Sequence, residues 1–303
     1  MADPMSQPGE SLVYFCGRDV PIAEARVPIS DHGVLYGIGF FETFRTSAGR
    51  PHAWPRHRRR LEAACRRAGI VLPSTFLAGD EERMAAVIRR QLAVRELTEA
   101  VFRYTVTAGA PSASGLYDQP AEWLVLRPLP AAAAAEGVAL RTLQLTRDNG
   151  EWLPRPKSLN YANSLLGASE LNRRARRPDD EGLFTARDSG FVVEAVRQNL
   201  AWIEQGRLCY PDPALGAVEG TCLRWVLEHH PAAVPRRVSP AELASAEAVM
   251  IMNAVRGVTP VARLWDADDR ETIGKWRSAE HPIVIALREA WVEALNVTAG
   301  HSL

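Results

Sequence analysis

The stretch "WLPRPKSLNYANSLLGASEL", residues 152–171, holds Lys157, one of only two lysines in a chain whose other 34 basic residues are arginine. Arginine keeps its proton in a protein and cannot act as a nucleophile. A lysine whose pKa is lowered by burial can attack a carbonyl and form a Schiff base. Lys157 therefore reads either as a surface lysine or as a reactive amine, and the rest of the chain must decide.

A Schiff-base lysine commonly serves pyridoxal phosphate, which makes two further demands: an acidic partner for its ring nitrogen and a cradle for its phosphate. In "FVVEAVRQN", Glu194 lies on a strand of otherwise apolar residues, where a carboxylate is costly unless paired. It reads as the ring's partner or as the solvent-facing residue of an alternating strand. In "VEGTCLRW", Gly220 opens a helix, so the backbone N–H groups of Thr221 and Cys222 could converge on an anion, with the Thr221 hydroxyl as a further donor.

The elements around these residues read as α+β. "LVYFCGRDVPI" and "GFFETFRTSAGRPHAW" are strands with tight turns, the second turning at Ser47-Ala48-Gly49. "RHRRRLEAACRRAGI" and "GDEERMAAVIRRQLAVREL" are amphipathic helices, and "AVFRYTVTAG" and "AEWLVLRPL" are strands. Arg58 and Arg60 flank the apolar stripe of the first helix at similar angles, so periodicity does not separate them. The proline- and alanine-rich "RPLPAAAAAEG", residues 127–137, marks a linker. It divides a small domain, 1–130, from a larger one, 138–303, with 131–137 as the connection. In the second domain "VALRTLQLTR" is a strand and residues 158–175 a helix. "GLFTA", "FVVEAV" and "NLAWIEQGRLCYP" form an antiparallel run with a turn at Gln205-Gly206. The helix "GTCLRWVLEHH", the strands "EAVMIMNAV" and "VTPVARLW", and a helix over roughly 279–295 complete the chain.

The 303 residues carry no formal net charge, 47% are apolar and 24% charged, the balance of a soluble globular protein. No global field draws the chain to nucleic acid or to a membrane. No apolar run approaches the ~20 residues of a membrane span. The amino terminus has no signal-peptide core, which predicts a cytoplasmic protein. Cys16, Cys65, Cys209 and Cys222 lack metal-ligand spacing and read as reduced core residues.

Five blocks in order carry a resemblance. They are "ISDHGVLYGIGFFETFRT", "HRRRLEAACRRAGI", "KSLNY", "LFTARDSGFVVEAVRQNLAWIEQGRLCYP" with "GTCLRWVLE", and "EAVMIMNAVRGVTPV". Over nearly its whole length the chain resembles the fold-type IV pyridoxal-phosphate enzymes: branched-chain aminotransferases, D-amino-acid aminotransferases and 4-amino-4-deoxychorismate lyases. The resemblance implies a two-domain α+β fold with a cofactor cleft between the domains, and a homodimer. It implies that Lys157 holds the cofactor as a Schiff base and shuttles the substrate's α-proton. Glu194 would pair with the pyridine nitrogen, and Tyr161 would stand near the phenolic oxygen. Arg60, Gly220, Thr221 and Cys222 would bind the phosphate. Asn253 and Ala254 would close over the cofactor, and Tyr36 would line the substrate pocket.

The same resemblance bears on the reaction. Ala108 stands where D-amino-acid aminotransferases carry a carboxylate-binding arginine. Arg103 falls where the branched-chain enzymes carry one, although the residue also reads as an outward polar group on its strand. Glu42 resembles the transaminases and, with Tyr36 and Arg103, would bind substrate, whereas "NAVRGVTPV" resembles the lyases. Ala195, Leu223 and His32 depart from the family pattern. These features imply an aminotransferase acting on an acidic amino or keto substrate. A lyase releasing pyruvate is the alternative. A non-catalytic relative and a cofactor-free Schiff-base enzyme using Lys157 directly remain behind both.

Overall fold

The computed structural model describes residues 12–113, 115–148, 155–270 and 272–300, the side chains of the last four excepted. The amino-terminal stretch in which no leader is read lies outside these residues. The chain forms two compact units. The first takes in the chain to Pro130, the short segment Pro156–Asn160 and the chain from Ala294; the second takes in Ala131–Arg155 and Tyr161–Glu293.

In the first unit, β1 (Leu12–Phe15), β2 (Arg18–Pro21), α1 (His32–Tyr36), β3 (Gly39–Ser47), β4 (Arg50–Pro51), α2 (Trp54–Arg67), α3 (Glu81–Val94), β5 (Ala100–Thr107) and β6 (Glu122–Pro128) follow in order. The strands make one sheet, β2-β1-β6-β5-β3-β4, antiparallel throughout. β3 and β4 are joined at Ala48 (φ 50°) and Gly49 (φ 68°), the paired left-handed residues that match the twist of a two-residue hairpin. Successive strand residues point to opposite faces. Phe44 and Tyr104 pack edge-on against Trp54 of α2, so Phe40, Glu42 and Phe44 line the helix-covered face. Phe41, Thr43 and Arg45 line the other.

The second unit contains β7 (Val138–Thr142), α4 (Ala162–Arg174), β8 (Glu181–Thr185), β9 (Val192–Ala195), β10 (Asn199–Glu204), β11 (Arg207–Pro211), α5 (Thr221–His229), β12 (Val234–Arg236), α6 (Pro240–Leu243), β13 (Ala248–Asn253), β14 (Gly257–Trp265) and β15 (Thr272–Lys275). The last helix, α7 (Pro282–Gly300), continues into the first unit. The strands form a mixed sheet, β12-β11-β10-β13-β14-β7-β8-β9, with β15 on β14. Its core joins Val138, Leu140, Leu200, Trp202, Val249, Ile251 and Val261. The β10–β11 hairpin turns at Gln205 (φ 51°) and Gly206 (φ 70°), as read from the sequence.

Four elements differ from the reading of the sequence. The helix expected from residue 158 starts at Ala162, because Lys157–Leu159 is extended against β3: Phe41 N–H donates to the Lys157 carbonyl (2.9 Å) and Leu159 N–H to the Gly39 carbonyl (2.9 Å). Tertiary pairing here overrides helical propensity. β7 stops at Thr142, and Arg147 keeps only a single bridge to Ala186. The short strands β12 and β15 have no clear alternation and were not foreseen. Among the described residues no helix is long and apolar enough to cross a membrane.

Candidate active site

The residues singled out by the sequence divide between the units, Lys157, Arg60, Tyr36, Glu42 and Arg103 in the first and the others in the second.

In the first unit the extended Lys157 segment lies close on β3. A Cβ at Gly39 would meet the Val106 carbonyl oxygen at 2.6 Å and the Leu159 side chain at 2.7 Å, so only glycine allows the approach. The Lys157 ammonium stands 4.5 Å over the Phe41 ring, and the Arg103 guanidinium lies 3.5 Å over the same ring. Both are cation–π distances. Phe41 is directly opposite Thr105 in the sheet and Thr43 opposite Arg103, so these four residues share the face away from α2.

Glu42 points the other way. It is 1% exposed, and its two oxygens accept from Arg60 Nε (2.8 Å), Arg60 Nη2 (2.6 Å) and His57 Nδ1 (2.6 Å). Burial pushes the Glu42 carboxyl up, but the charge and hydrogen bonds of Arg60, with His57, hold it down at about 2. His57 is itself pushed below the usual imidazole range by burial, and by Arg60 and Lys157, against the pull of Glu42. The ring is therefore neutral at pH 7 and donates its Nδ1–H to the carboxylate. Tyr36, at the end of α1, is exposed in the single chain and meets His32 edge-on at 4.8 Å.

In the second unit Glu194 lies buried on β9, directly opposite Phe184 of β8. Its Oε1 accepts from Arg147 Nε (3.1 Å) and lies 3.0 Å from Nη2 in the ion pair, and its Oε2 accepts from the Val218 N–H (3.0 Å). Of the two readings of this residue, the solvent-facing one is excluded by its 4% exposure. Gly220 precedes α5, and the Asn199 carboxamide oxygen occupies the place where a Cβ would stand. Thr221 is buried at the first position of α5. Cys222 is fully buried, and burial raises its thiol far above the usual range, which leaves its backbone N–H as its polar contribution. Asn253 ends β13, and its Oδ1 accepts from Val255 N–H (2.9 Å) and Arg256 N–H (2.8 Å), pinning the tight turn through Ala254. Tyr161 directly precedes α4, its carbonyl accepting from Leu165 N–H.

The sequence reading missed His57 and Arg147. His57 was visible in principle, since it shares the buried α2 stripe with Leu61, Ala64 and Cys65 at helical spacing. Arg147, in "LTRDNG", carries no periodic signal. Among the described residues no cluster of three metal-ligating side chains occurs.

Residues 39–264 match the family model of the class IV aminotransferases. A provisionally assigned branched-chain-amino-acid aminotransferase of Methanocaldococcus jannaschii is 32% identical over 66% of this chain and 67% of its own. The 4-amino-4-deoxychorismate lyase of Pseudomonas aeruginosa superposes with a TM-score of 0.74 at 26% identity, over 93% of this chain and 98% of that one. The branched-chain aminotransferase of Thermoproteus uzoniensis, solved with norvaline, superposes with a TM-score of 0.75 at 20% identity, over 97% of this chain and 96% of that one. The two-sheet α+β fold is that of the fold-type IV enzymes, and the chain belongs to the class IV aminotransferase family.

Proposed function

We propose that this protein is a pyridoxal-phosphate enzyme that moves an amino group between an amino acid and a keto acid. The observation that carries the reading is the placement of an amine and a guanidinium, Lys157 and Arg103, on the single ring of Phe41. An amine can form a Schiff base and carry a proton; a guanidinium binds a carboxylate through paired N–H donors. An amino or keto acid presents work for both groups in one molecule.

The residues present fit the cofactor. Glu194 is a buried carboxylate whose Oε2 accepts a single donor, so it retains a lone pair for the ring's N–H. When bound, the cofactor supplies a cationic ring that draws electrons from the substrate's α-carbon. In the first unit, Lys157 would hold the group, and its Nζ would take the substrate's α-proton and return it. Arg103 orients the substrate carboxylate, with Tyr36 beside the substrate. Arg60, fixed by Glu42, offers its charge to the phosphate. Glu42 thus acts through Arg60 and not as a substrate ligand. In the second unit, Gly220, the Thr221 hydroxyl and the Cys222 N–H bind the phosphate, Tyr161 attends the phenolic oxygen, and the Asn253–Ala254 turn covers the group. The exposed Ile29, Val34, Leu35 and Tyr36 support a homodimer, which the mass of the protein in solution tests.

The experiment is a visible absorption spectrum with added pyridoxal phosphate, followed by amino-group exchange between an amino donor and a keto acid. The wild type is expected to show the band of lysine-bound cofactor, bleached by borohydride, and to exchange; Lys157→Ala is expected to do neither. A colourless wild type overturns the reading. The likeness to the P. aeruginosa lyase supports a second reading, elimination from 4-amino-4-deoxychorismate. Pyruvate released with no keto acid present, and no exchange, would favour it.

A further inference from the structure

Arg147 has so far appeared only as the ion-pair partner of Glu194, yet its guanidinium is engaged on every side. It is 4% exposed and stacks 4.1 Å over the ring of Phe184, the residue directly opposite Glu194 in the sheet. Nε and Nη2 reach Glu194 Oε1; Nη2 also donates to the Ser164 hydroxyl (3.0 Å) and Nη1 to Asn163 Oδ1 (2.5 Å). The backbone beneath is fixed as well. Arg147 N–H donates to the Thr185 carbonyl (2.8 Å), and its own carbonyl accepts from Arg187 N–H (2.9 Å). Asn163 is held in turn, its Nδ2 donating to the Thr146 carbonyl (3.1 Å).

Three consequences follow from this geometry. The guanidinium supplies the counter-charge without which a buried carboxylate is strongly unfavourable. The Nε–H bond and the Nη2 charge on Oε1, with Val218 N–H on Oε2, fix the carboxylate's rotation and leave Oε2 a lone pair. Asn163 and Ser164 belong to the first turn of α4, the helix that begins five residues after Lys157 in the chain. One planar group therefore ties the carboxylate of β9 to the start of that helix.

We propose that Arg147 is a positioning residue: it aims the free lone pair of Glu194 Oε2 at the ring nitrogen of bound cofactor and holds that aim against the first turn of α4. The role rests on the pyridoxal-phosphate reading above. A lysine cannot replace the guanidinium fully, because a single ammonium lacks the planar fork that serves Glu194, Asn163 and Ser164 at once.

The test compares the full-length wild type with Arg147→Met, Arg147→Lys, Ser164→Ala, Glu194→Gln and the Arg147→Met/Glu194→Gln double variant. Urea unfolding of the cofactor-free proteins measures the coupling of the pair. Pyridoxal-phosphate titration gives affinity, and steady-state exchange gives kcat and KM separately. Arg147→Met is expected to weaken cofactor binding and lower kcat by roughly 10- to 100-fold, as loss of a group that orients a ligand commonly does. KM for the amino donor should change little, Arg147→Lys should recover part of the loss, and the effect should vanish when Glu194→Gln is already in place. Ser164→Ala, which leaves the ion pair intact, should move the same quantities in the same direction by less, and it serves if Arg147→Met does not fold. Equal losses from Arg147→Met with and without Glu194→Gln, or a Ser164→Ala protein identical to wild type in affinity and kcat, overturn the role alone. A wild type that binds no pyridoxal phosphate overturns the enzyme reading and this role with it.

Discussion

Glu42 in the first unit and Glu194 in the second are both buried carboxylates on strands, and each faces an arginine, but they are left in different conditions. Glu42 accepts three side-chain donors across its two oxygens, from Arg60 and His57. Glu194 gives one oxygen to Arg147 and takes a lone backbone N–H on the other. The first arrangement consumes the carboxylate in order to fix an arginine; the second uses an arginine in order to fix a carboxylate. The difference tells which member of each pair is held and which is offered.

Amide substitutions break the comparison most sharply. Glu194→Gln is expected to slow amino-group exchange by about 10²- to 10³-fold, the scale of losing one preorganised polar group at a reacting centre. Glu42→Gln, which acts only through Arg60, should cost far less in rate and show itself mainly as weaker cofactor binding. Stability should rank them the other way. Replacing Glu42 by the amide removes the charge and leaves one acceptor oxygen for three donors of Arg60 and His57, and should lower the unfolding free energy by roughly 3 kcal/mol in urea titrations. Glu194→Gln should cost less, since Arg147 keeps Asn163 and Ser164. Comparable losses of rate in both variants would erase the distinction.

Acid titration sharpens it further. The Glu42 carboxyl sits at about 2 in the folded protein, below its ordinary 4.5, so the stabilisation it gives is present above pH 4.5 and is lost as pH falls toward 2. The wild type should lose about 3 kcal/mol across that window, and Glu42→Gln should not. His52, held at about 4 by burial and by nearby His57, Arg45 and Arg56, is also favoured in its folded, neutral state. Its contribution is complete above pH 6.5 and fades between 6.5 and 4, so a His52→Gln variant should flatten that earlier limb of the curve. The smallest effect is expected from Arg60→Lys, which keeps the charge but loses the two-pronged contact. About 1 kcal/mol of stability should go, and cofactor binding should not tighten.

Much of this was legible in the residues. Alternation located the long strands of both sheets, and the Ala48-Gly49 and Gln205-Gly206 pairs announced their hairpins because left-handed backbone needs such residues. The rarity of lysine marked Lys157, and the isolated acid in an apolar strand marked Glu194. What stayed hidden depends on contacts made far along the chain. The sequence around Lys157 has helical character, and only its pairing with β3 shows why the helix starts later. Which face Glu42 takes could not be read without knowing that α2 covers it. Arg147 looked like any of 33 other arginines, since what distinguishes it is Phe184, Glu194, Asn163 and Ser164 assembled around it.

The seating of Lys157 on β3 also has a consequence for the newborn chain. The bond from Phe41 N–H to the Lys157 carbonyl joins residues more than a hundred positions apart. Closing so long a loop costs only slightly more than closing a short one, but it cannot happen before its far end exists. On the ribosome, β3, β5 and β6 can therefore pair while Lys157 is still unmade, and an N-terminal fragment ending at Pro130 would present the Phe41 ring without the lysine that stands over it.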